Sequence, residues 1–380
     1  MFESTIQFIK KLYPEQDFIP LHAPVFQGHE KQYVIEAIDS TFVSSVGAFV
    51  DKFETDFSKY TGARKAVVTG NGTAALHAGL HLLGVGPGDE VLTQALTFVA
   101  TANAISYCGA RPIFLDSDRV TMGLSPESLE LFLSSNAEVR EDACFNRKTG
   151  KRIAACVPMH VFGHPVRIKE IIGICDTYKI PVLEDAAESL GSFFDGRHTG
   201  LFGKVGVFSF NGNKILTSGG GGMIVTNDDV LGKRGKHITT TAKIPHRWEF
   251  VHDEIGFNYR MPNLNAALAC GQLEQLPSFI ENKRETALIY KDYFSKQGIN
   301  FFTEPPGARS NYWLNAIILE NRSERDHFLE ETNKQGVMTR PIWSLMPDLA
   351  MYKDCQQSDL SIARELSETV VNIPSSVRIR

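Results

Sequence analysis

Between residues 65 and 226, short apolar runs alternate with stretches of helical spacing, and this alternation most constrains the fold. The run 65–69 (KAVVT) reads as a buried strand, and 73–83 (TAALHAGLHLL) follows with helical periodicity. Residues 90–93 form a second strand, 98–107 continue helically, and 112–115 form a third strand. Then come a strand at 153–158, a helix at 168–178, a strand at 180–183, and strands at 205–210 and 223–226. Parallel strands need long crossovers, and strands this apolar must be covered on both faces. The expected class is therefore α/β: a mainly parallel sheet with helices on both faces.

The last third has a different rhythm. An Ala- and Leu-rich helix over 263–274 leads to a polar-faced helix over 277–297. Residues 312–319 read as an exposed-edge or antiparallel strand, 322–336 as a helix stopped by Gly336, and 337–342 as a further strand. These elements suggest a smaller α+β domain. The expected division is a large domain over 19–250, a small C-terminal domain over 251–380 and an N-terminal extension over 1–18. The pattern alone does not assign the N-terminal segment, with its helix near 30–41, to either domain.

Charge and cysteine usage limit the function classes. The 39 Lys and Arg against 44 Asp and Glu leave a net charge of −5, so nothing global favours nucleic acid or an anionic membrane. Any anionic ligand must be caught by local chemistry. The six cysteines show no C-x-x-C spacing, which points to buried free thiols and no metal site. The first residues (MFESTIQFIKKLYPEQ) lack the layout of a signal peptide, and no run approaches a membrane span. A soluble, cytoplasmic protein is expected.

Three segments carry candidate chemistry. Gly70-Asn71-Gly72-Thr73 lies between a strand and a helix, where free N–H groups and the hydroxyl of Thr73 can hold a phosphate. Equally, Asn71 or Thr73 can simply cap the helix. Glu184-Asp185-Ala186-Ala187-Glu188 follows an apolar strand, at the sheet end where α/β folds bind ligands. Asp185 there can pair with a cationic nitrogen, or cap the next turn. Ser209 and Lys214 precede Gly219-Gly220-Gly221-Gly222, and a lysine so placed can be an amine nucleophile or an ordinary solvated side chain. The three sets of groups fit one ligand, pyridoxal 5′-phosphate: phosphate donors, a carboxylate for the ring nitrogen and an amine for the aldehyde.

Here the sequence resembles the DegT/DnrJ/EryC1/StrS family of sugar aminotransferases, from Ile19 to about Pro374. The resemblance rests on NGTAAL (71–76), GDEVLTQALTFVATANAI (88–105), VPMHVFGHP (157–165), EDAAESLGS (184–192), SFNGNKI (209–215), GGGGMIVTND (219–228) and GFNYRMPNLNAALACGQLEQL (256–276). It implies the aspartate-aminotransferase-like fold type I of pyridoxal-phosphate-dependent transferases. It also implies that Lys214 bonds the cofactor aldehyde and that Asp185 meets the ring nitrogen. By the same resemblance Glu188 would lie near the 3-hydroxyl, Gly72, Thr73 and Ser209 would cradle the phosphate, and Phe98 would stack on the ring, unless it is ordinary core. Asn258 is similar to the asparagine that reaches the phosphate in a neighbouring subunit, which would make the site a homodimer property. The family's commoner His-Pro-x-Lys is Asn211-Gly212-Asn213-Lys214 here, which leaves the contacts of the preceding residues open.

The implied reaction moves an amino group from L-glutamate, released as 2-oxoglutarate, to C4 of a nucleotide-activated 4-keto-6-deoxyhexose. Segments SFNGNKI and Asn311-Tyr312-Trp313-Leu314-Asn315 are similar to the subgroup serving legionaminic-acid-type nonulosonate pathways. Arg247, Lys243, Arg260 and Arg340 are candidate phosphate partners and Trp343 a stacking surface, while His160 can touch substrate or cap a strand end. Two rivals stand beside this reading: a nucleotide-sugar dehydratase, which in this family carries histidine in place of Lys214, and a catalytically silent binding module.

Overall fold

The computed structural model describes residues 2–14 and 16–379. Its helices are α1 (Glu3–Leu12), α2 (Glu30–Asp39), α3 (Ala48–Thr61), α4 (Gly72–Leu82), α5 (Val99–Tyr107), α6 (Pro126–Asn136), α7 (Ile168–Thr177), α8 (Asp229–Thr239), α9 (Asn263–Lys296), α10 (Arg322–Lys334) and α11 (Ser361–Thr369). The main sheet contains β1 (Lys65–Thr69), β2 (Glu90–Gln94), β3 (Arg111–Leu115), β4 (Ile153–Val157), β5 (Leu183–Asp185), β6 (Val205–Ser209) and β7 (Gly222–Thr226). Their spatial order is β3-β2-β4-β5-β6-β7-β1, with β4 and β5 joined by the parallel bridges Cys156–Val182 and Met159–Asp185.

Only β7 runs antiparallel, pairing with β6 and β1. The chain between Ser209 and Gly222 contains no helix, so it returns directly instead of crossing over. Val67, Val205 and Val207 pack against one face with α4, α5 and α8; Val68, Phe208 and Met223 pack against the other with α3 and α9. Helices on both faces match the expected α/β class.

A second, antiparallel sheet follows, with strands β8 (Asn300–Phe301), β9 (Asn315–Ile318), β10 (Arg340–Pro341) and β11 (Val370–Ile373) in the order β8-β9-β11-β10. The strand expected over 312–319 is thus antiparallel and interior, and the one expected over 337–342 shrinks to two residues. The two helices expected to divide near Pro277 are one helix, α9, with Pro277 inside it. Interior proline costs a hydrogen bond, roughly 3 kcal/mol. The buried Leu273, Leu276, Phe279 and Ile280 lie on both sides of it and hold the helix in one piece.

The N-terminal elements also find their place. Phe2, Ile6, Ile9 and Tyr13 pack with Tyr290, Phe294, Phe301 and Val371, and Phe8 stacks on Tyr293 with ring centroids 3.8 Å apart. Ile19 pairs with Val337, and the Ala23 N–H donates to Ser376 Oγ, so residues 19–23 also lie against the C-terminal elements. All six cysteines are free, and among the described residues no helix is long and apolar enough to cross a membrane.

Candidate active site

The chemistry-bearing segments converge at the carboxyl ends of β1, β2, β5 and β6, where a doubly wound sheet leaves room for a ligand. At the first, Asn71 caps α4 by accepting the Ala74 N–H at 2.8 Å. Cap and cradle are therefore compatible: the N–H groups of Gly72 and Thr73 precede the first intrahelical bond and remain available. A Cβ on Gly72 would lie 2.8 Å from Ser209 Cβ, so the helix start and the end of β6 approach more closely than any side chain allows. Two half-buried hydroxyls, Thr73 and Ser209, flank this point. A helix N-terminus with such donors suits a phosphate dianion.

Asp185 ends β5 and is only 2% exposed. Burial raises its carboxyl pKa; Thr101 Oγ1, donating at 2.7 Å, the Ala187 N–H at 3.2 Å and the charge of Lys214 oppose the rise. A buried carboxylate with an incomplete set of donors fits a cationic ring nitrogen. Phe98 precedes α5 and is 49% exposed, so it is not core. Its ring centroid lies 6.4 Å from that of the half-buried Trp343, which in turn lies 5.2 Å from Phe162. Phe98, Trp343 and Phe162 thus form an aromatic wall.

Lys214 Nζ lies 3.1 Å from Glu188 Oε1. Glu188 is 3% exposed; burial raises its carboxyl pKa, while Lys214 and the Phe162 N–H, donating at 2.9 Å, pull it down. The phosphate cradle, the ring carboxylate and the amine are therefore present together, and the residues fit pyridoxal 5′-phosphate. The sequence reading missed Thr101 and Trp313. Thr101 sits one helical turn past Thr97 in TFVAT, and that spacing was a usable signal. Trp313 stood out only within the segment 311–315, and its distance in sequence from Lys214 hid the contact between them.

Substrate candidates divide. Lys243, Arg247 and Arg260 line one cleft of about 570 Å³, together with Thr240, Pro245 and His246. Arg260 Nε donates to Asn258 Oδ1 at 3.3 Å, and both residues are exposed. His160 requires correction as a substrate contact. It is fully buried, its Nδ1 accepts the Val166 N–H at 3.1 Å, and its Nε2 lies 3.0 Å from Glu184 Oε2. The ring therefore has no free edge. Arg340 is not brought to the cleft either; its guanidinium donates to Asn333 Oδ1 and Thr339 O at 3.0 Å, beside the second sheet.

Comparison with known proteins shows the family and the fold. The model of the DegT/DnrJ/EryC1/StrS aminotransferase family matches residues 25–380. The chain is 37% identical over 358 residues to a GDP-perosamine synthase of Escherichia coli O157:H7, covering 94% of this chain and 93% of that protein. It is 33% identical over 362 residues to the GDP-perosamine synthase of Caulobacter vibrioides, with 94% and 93% covered. The crystal structure of the aminotransferase TlmJ from Streptoalloteichus hindustanus superposes with a TM-score of 0.84 at 29% identity, covering 94% of this chain and 93% of that one.

Proposed function

From the premise that the chain belongs to the DegT/DnrJ/EryC1/StrS aminotransferase family and is a pyridoxal-phosphate-dependent sugar aminotransferase, we propose that it moves an amino group from L-glutamate to C4 of a nucleotide-linked 4-keto-6-deoxyhexose. The acceptor is UDP- or GDP-linked, carries a 2-acetamido group and serves cytoplasmic amino-sugar biosynthesis, for a nonulosonate or a surface glycan. The observation that carries the transfer reaction is Lys214 Nζ, 3.1 Å from Glu188 and beside the buried Asp185. SFNGNKI and the Asn311–Asn315 segment support the acetamido acceptor, while the GDP-perosamine synthase relatives support a GDP-linked one.

When bound, the cofactor supplies the electron sink and the aldehyde that carries nitrogen between donor and acceptor. The rest falls to this chain. Gly72, Thr73 and Ser209 hold the phosphate, Phe98 covers one face of the ring, and ionised Asp185 keeps the ring nitrogen charged by Coulomb attraction. Lys214 Nζ accepts the proton from the donor's α-carbon and, in the reverse half, delivers one to C4 of the sugar. Glu188 Oε1 fixes where that amine stands. Lys243, Arg247 and Arg260 pair with the sugar's diphosphate across the cleft.

The working unit is a homodimer, with Asn258 completing the partner's phosphate site. Exposed apolar side chains support this: Phe26, Ile35, Ile38, Phe42 and Val46 on the N-terminal stretch, and Trp248, Phe250 and Ile255 around the 243–252 hairpin. Lys214 itself argues against the dehydratase, and the assembled Lys214, Asp185 and Thr73 argue against a silent module.

Adding L-glutamate to the purified protein tests the reading. Its near-visible absorbance band is expected to move to shorter wavelength, and keto sugars linked to UDP, GDP or dTDP are expected to restore it according to acceptor preference. A protein with no such band, or a Lys214→Ala variant that still holds the cofactor covalently, overturns the Lys214 assignment. Mixing Lys214→Ala with Asn258→Ala chains is expected to regain activity in hybrid dimers; no regain overturns the shared site.

A further inference from the structure

The Trp313 side chain meets the Lys214 loop twice. The Lys214 ammonium stands 3.9 Å from the centroid of the indole, over its face. At the ring edge, Nε1–H donates to Asn213 O, the residue before the lysine, at 2.7 Å. A buried tryptophan ordinarily fills core and pairs its N–H wherever it can. Here both the face and the polar edge are directed at one loop, and Trp313 is only 4% exposed.

The two groups around the amine are also tied to each other. Asn311 Oδ1 accepts the backbone N–H of Trp313 at 2.7 Å, while Asn311 Nδ2 donates to the backbone carbonyls of Glu188 and Leu190 at 2.9 Å. One asparagine thus ties the backbone of Trp313 to the backbone that carries Glu188. Phe162, which donates to Glu188 Oε2, and Tyr312, which precedes Trp313, are both non-glycine residues at positive φ, 55° and 48°. Such backbone persists only where its surroundings over-determine it, and it gathers at functional sites.

We propose that Trp313 is the positioning residue of the Lys214 amine: its indole face and Glu188 Oε1 form a two-sided seat that holds Nζ over the reacting carbons whenever the amine is not bonded to cofactor. The proposal rests on the reading of Lys214 given above. Both walls attract a cation, the carboxylate by charge and the indole by its quadrupole. An amine that has just taken a proton is therefore held in place instead of swinging to solvent, and the proton it carries stays within reach of the carbon that must receive it. The Nε1–H bond keeps the indole from tilting as the amine departs and returns.

The contact can be read without activity. The chain has three tryptophans, so Trp248→Phe with Trp343→Phe leaves Trp313 as the only emitter. In that cofactor-free protein, adding Lys214→Met is expected to change the intensity and wavelength of Trp313 emission; identical spectra overturn the seat. A Lys214→Met protein that keeps covalent cofactor would instead overturn the reading of Lys214, whatever the spectra show. In loaded enzyme, Trp313→Leu is expected to slow the single-turnover half-reaction with L-glutamate by roughly ten- to a hundredfold, the scale of a small misplacement of a reacting group. The glutamate concentration for half-saturation should change less than about twofold, since uniform binding is untouched. Trp313→Phe, which retains an aromatic face, should recover part of the rate. Wild-type rates in both variants, or a loss carried wholly by glutamate affinity, would sink the proposal. Should Trp313→Leu fail to fold, the emission comparison and Trp313→Phe still decide it.

Discussion

Thr101 Oγ1 donates to Asp185 Oδ2 at 2.7 Å, from the first turn of α5 to the end of β5. Behind it, Thr97 Oγ1 lies 3.1 Å from the Thr101 hydroxyl and 3.0 Å from Met159 Sδ. The Asp185 carboxyl, the proposed partner of the ring nitrogen, is thus favoured in its ionised form against burial by one hydroxyl and one backbone N–H.

Thr101→Val keeps the shape and removes the donor. Burial raises the Asp185 pKa above that of an unfolded aspartate, so without cofactor the native state binds this proton more tightly than the unfolded state does. Its contribution is then complete below the ordinary aspartate range and is lost as pH rises through the native value. The valine variant extends that loss, costing about 1–2 kcal/mol more at pH 8 than at pH 4. Urea unfolding of both cofactor-free proteins at the two pH values checks this.

Lys283 gives a dependence of the opposite sense. It lies buried in α9, its Nζ donates to Ser375 O, and burial depresses its pKa to about 7. Between that value and the ordinary lysine range, the unfolded chain binds a proton that the native state does not, so stability rises with pH from about 7 upward. Below 7 both states are protonated and the penalty of the buried charge is complete. Lys283→Met removes the titration. Its stability relative to wild type should be most favourable at pH 6 and decline by a few kcal/mol toward pH 10, at roughly 1.4 kcal/mol for each pH unit climbed between the native and unfolded lysine values. Parallel curves from denaturant melts across that range would refute the depressed value.

Gly163 and Gly84 offer a matched pair. Both have positive φ, 98° and 78°, but a Cβ on Gly163 would fall 1.8 Å from Asn311 Oδ1, whereas nothing lies within 4 Å of one on Gly84. Gly84→Ala should cost about 1 kcal/mol from backbone alone. Gly163→Ala should cost about 1–3 kcal/mol beyond that, because Asn311 must yield. It should also slow the glutamate half-reaction, since Asn311 fixes Trp313 and Glu188. Equal melting temperatures for the two variants would contradict the packing.

Glu184 is fully buried and accepts the N–H groups of Gly200, Phe202 and Gly203 at 2.6–2.8 Å, besides meeting His160. Glu184→Gln turns one acceptor into a donor against these N–H groups. The expected loss is about 2–4 kcal/mol in stability, with looser cofactor retention because Asp185 is the next residue. Calorimetry and the rate of cofactor loss on dialysis measure the two effects.

The local motifs carried much of this protein in legible form. The alternation from residue 65 to 226 gave the layered sheet, because strand and helix periodicities are properties of neighbouring residues. Gly72, Thr73, Asp185, Ser209 and Lys214 were each readable because each stands where a strand ends and a helix or turn begins. Residue order was silent about long-range partners. It divided α9 at Pro277, because the proline is local and the burial that overrides it is not. It offered His160 to a substrate, although Glu184 and the Val166 N–H occupy both ring nitrogens. It left Trp313 without a role, although the folded chain sets it against a lysine 99 positions earlier. The sequence by itself determined which groups arrive at the sheet's carboxyl edge; the tertiary structure alone decided which of them face the ligand, because burial and partner geometry depend on segments that meet only after folding.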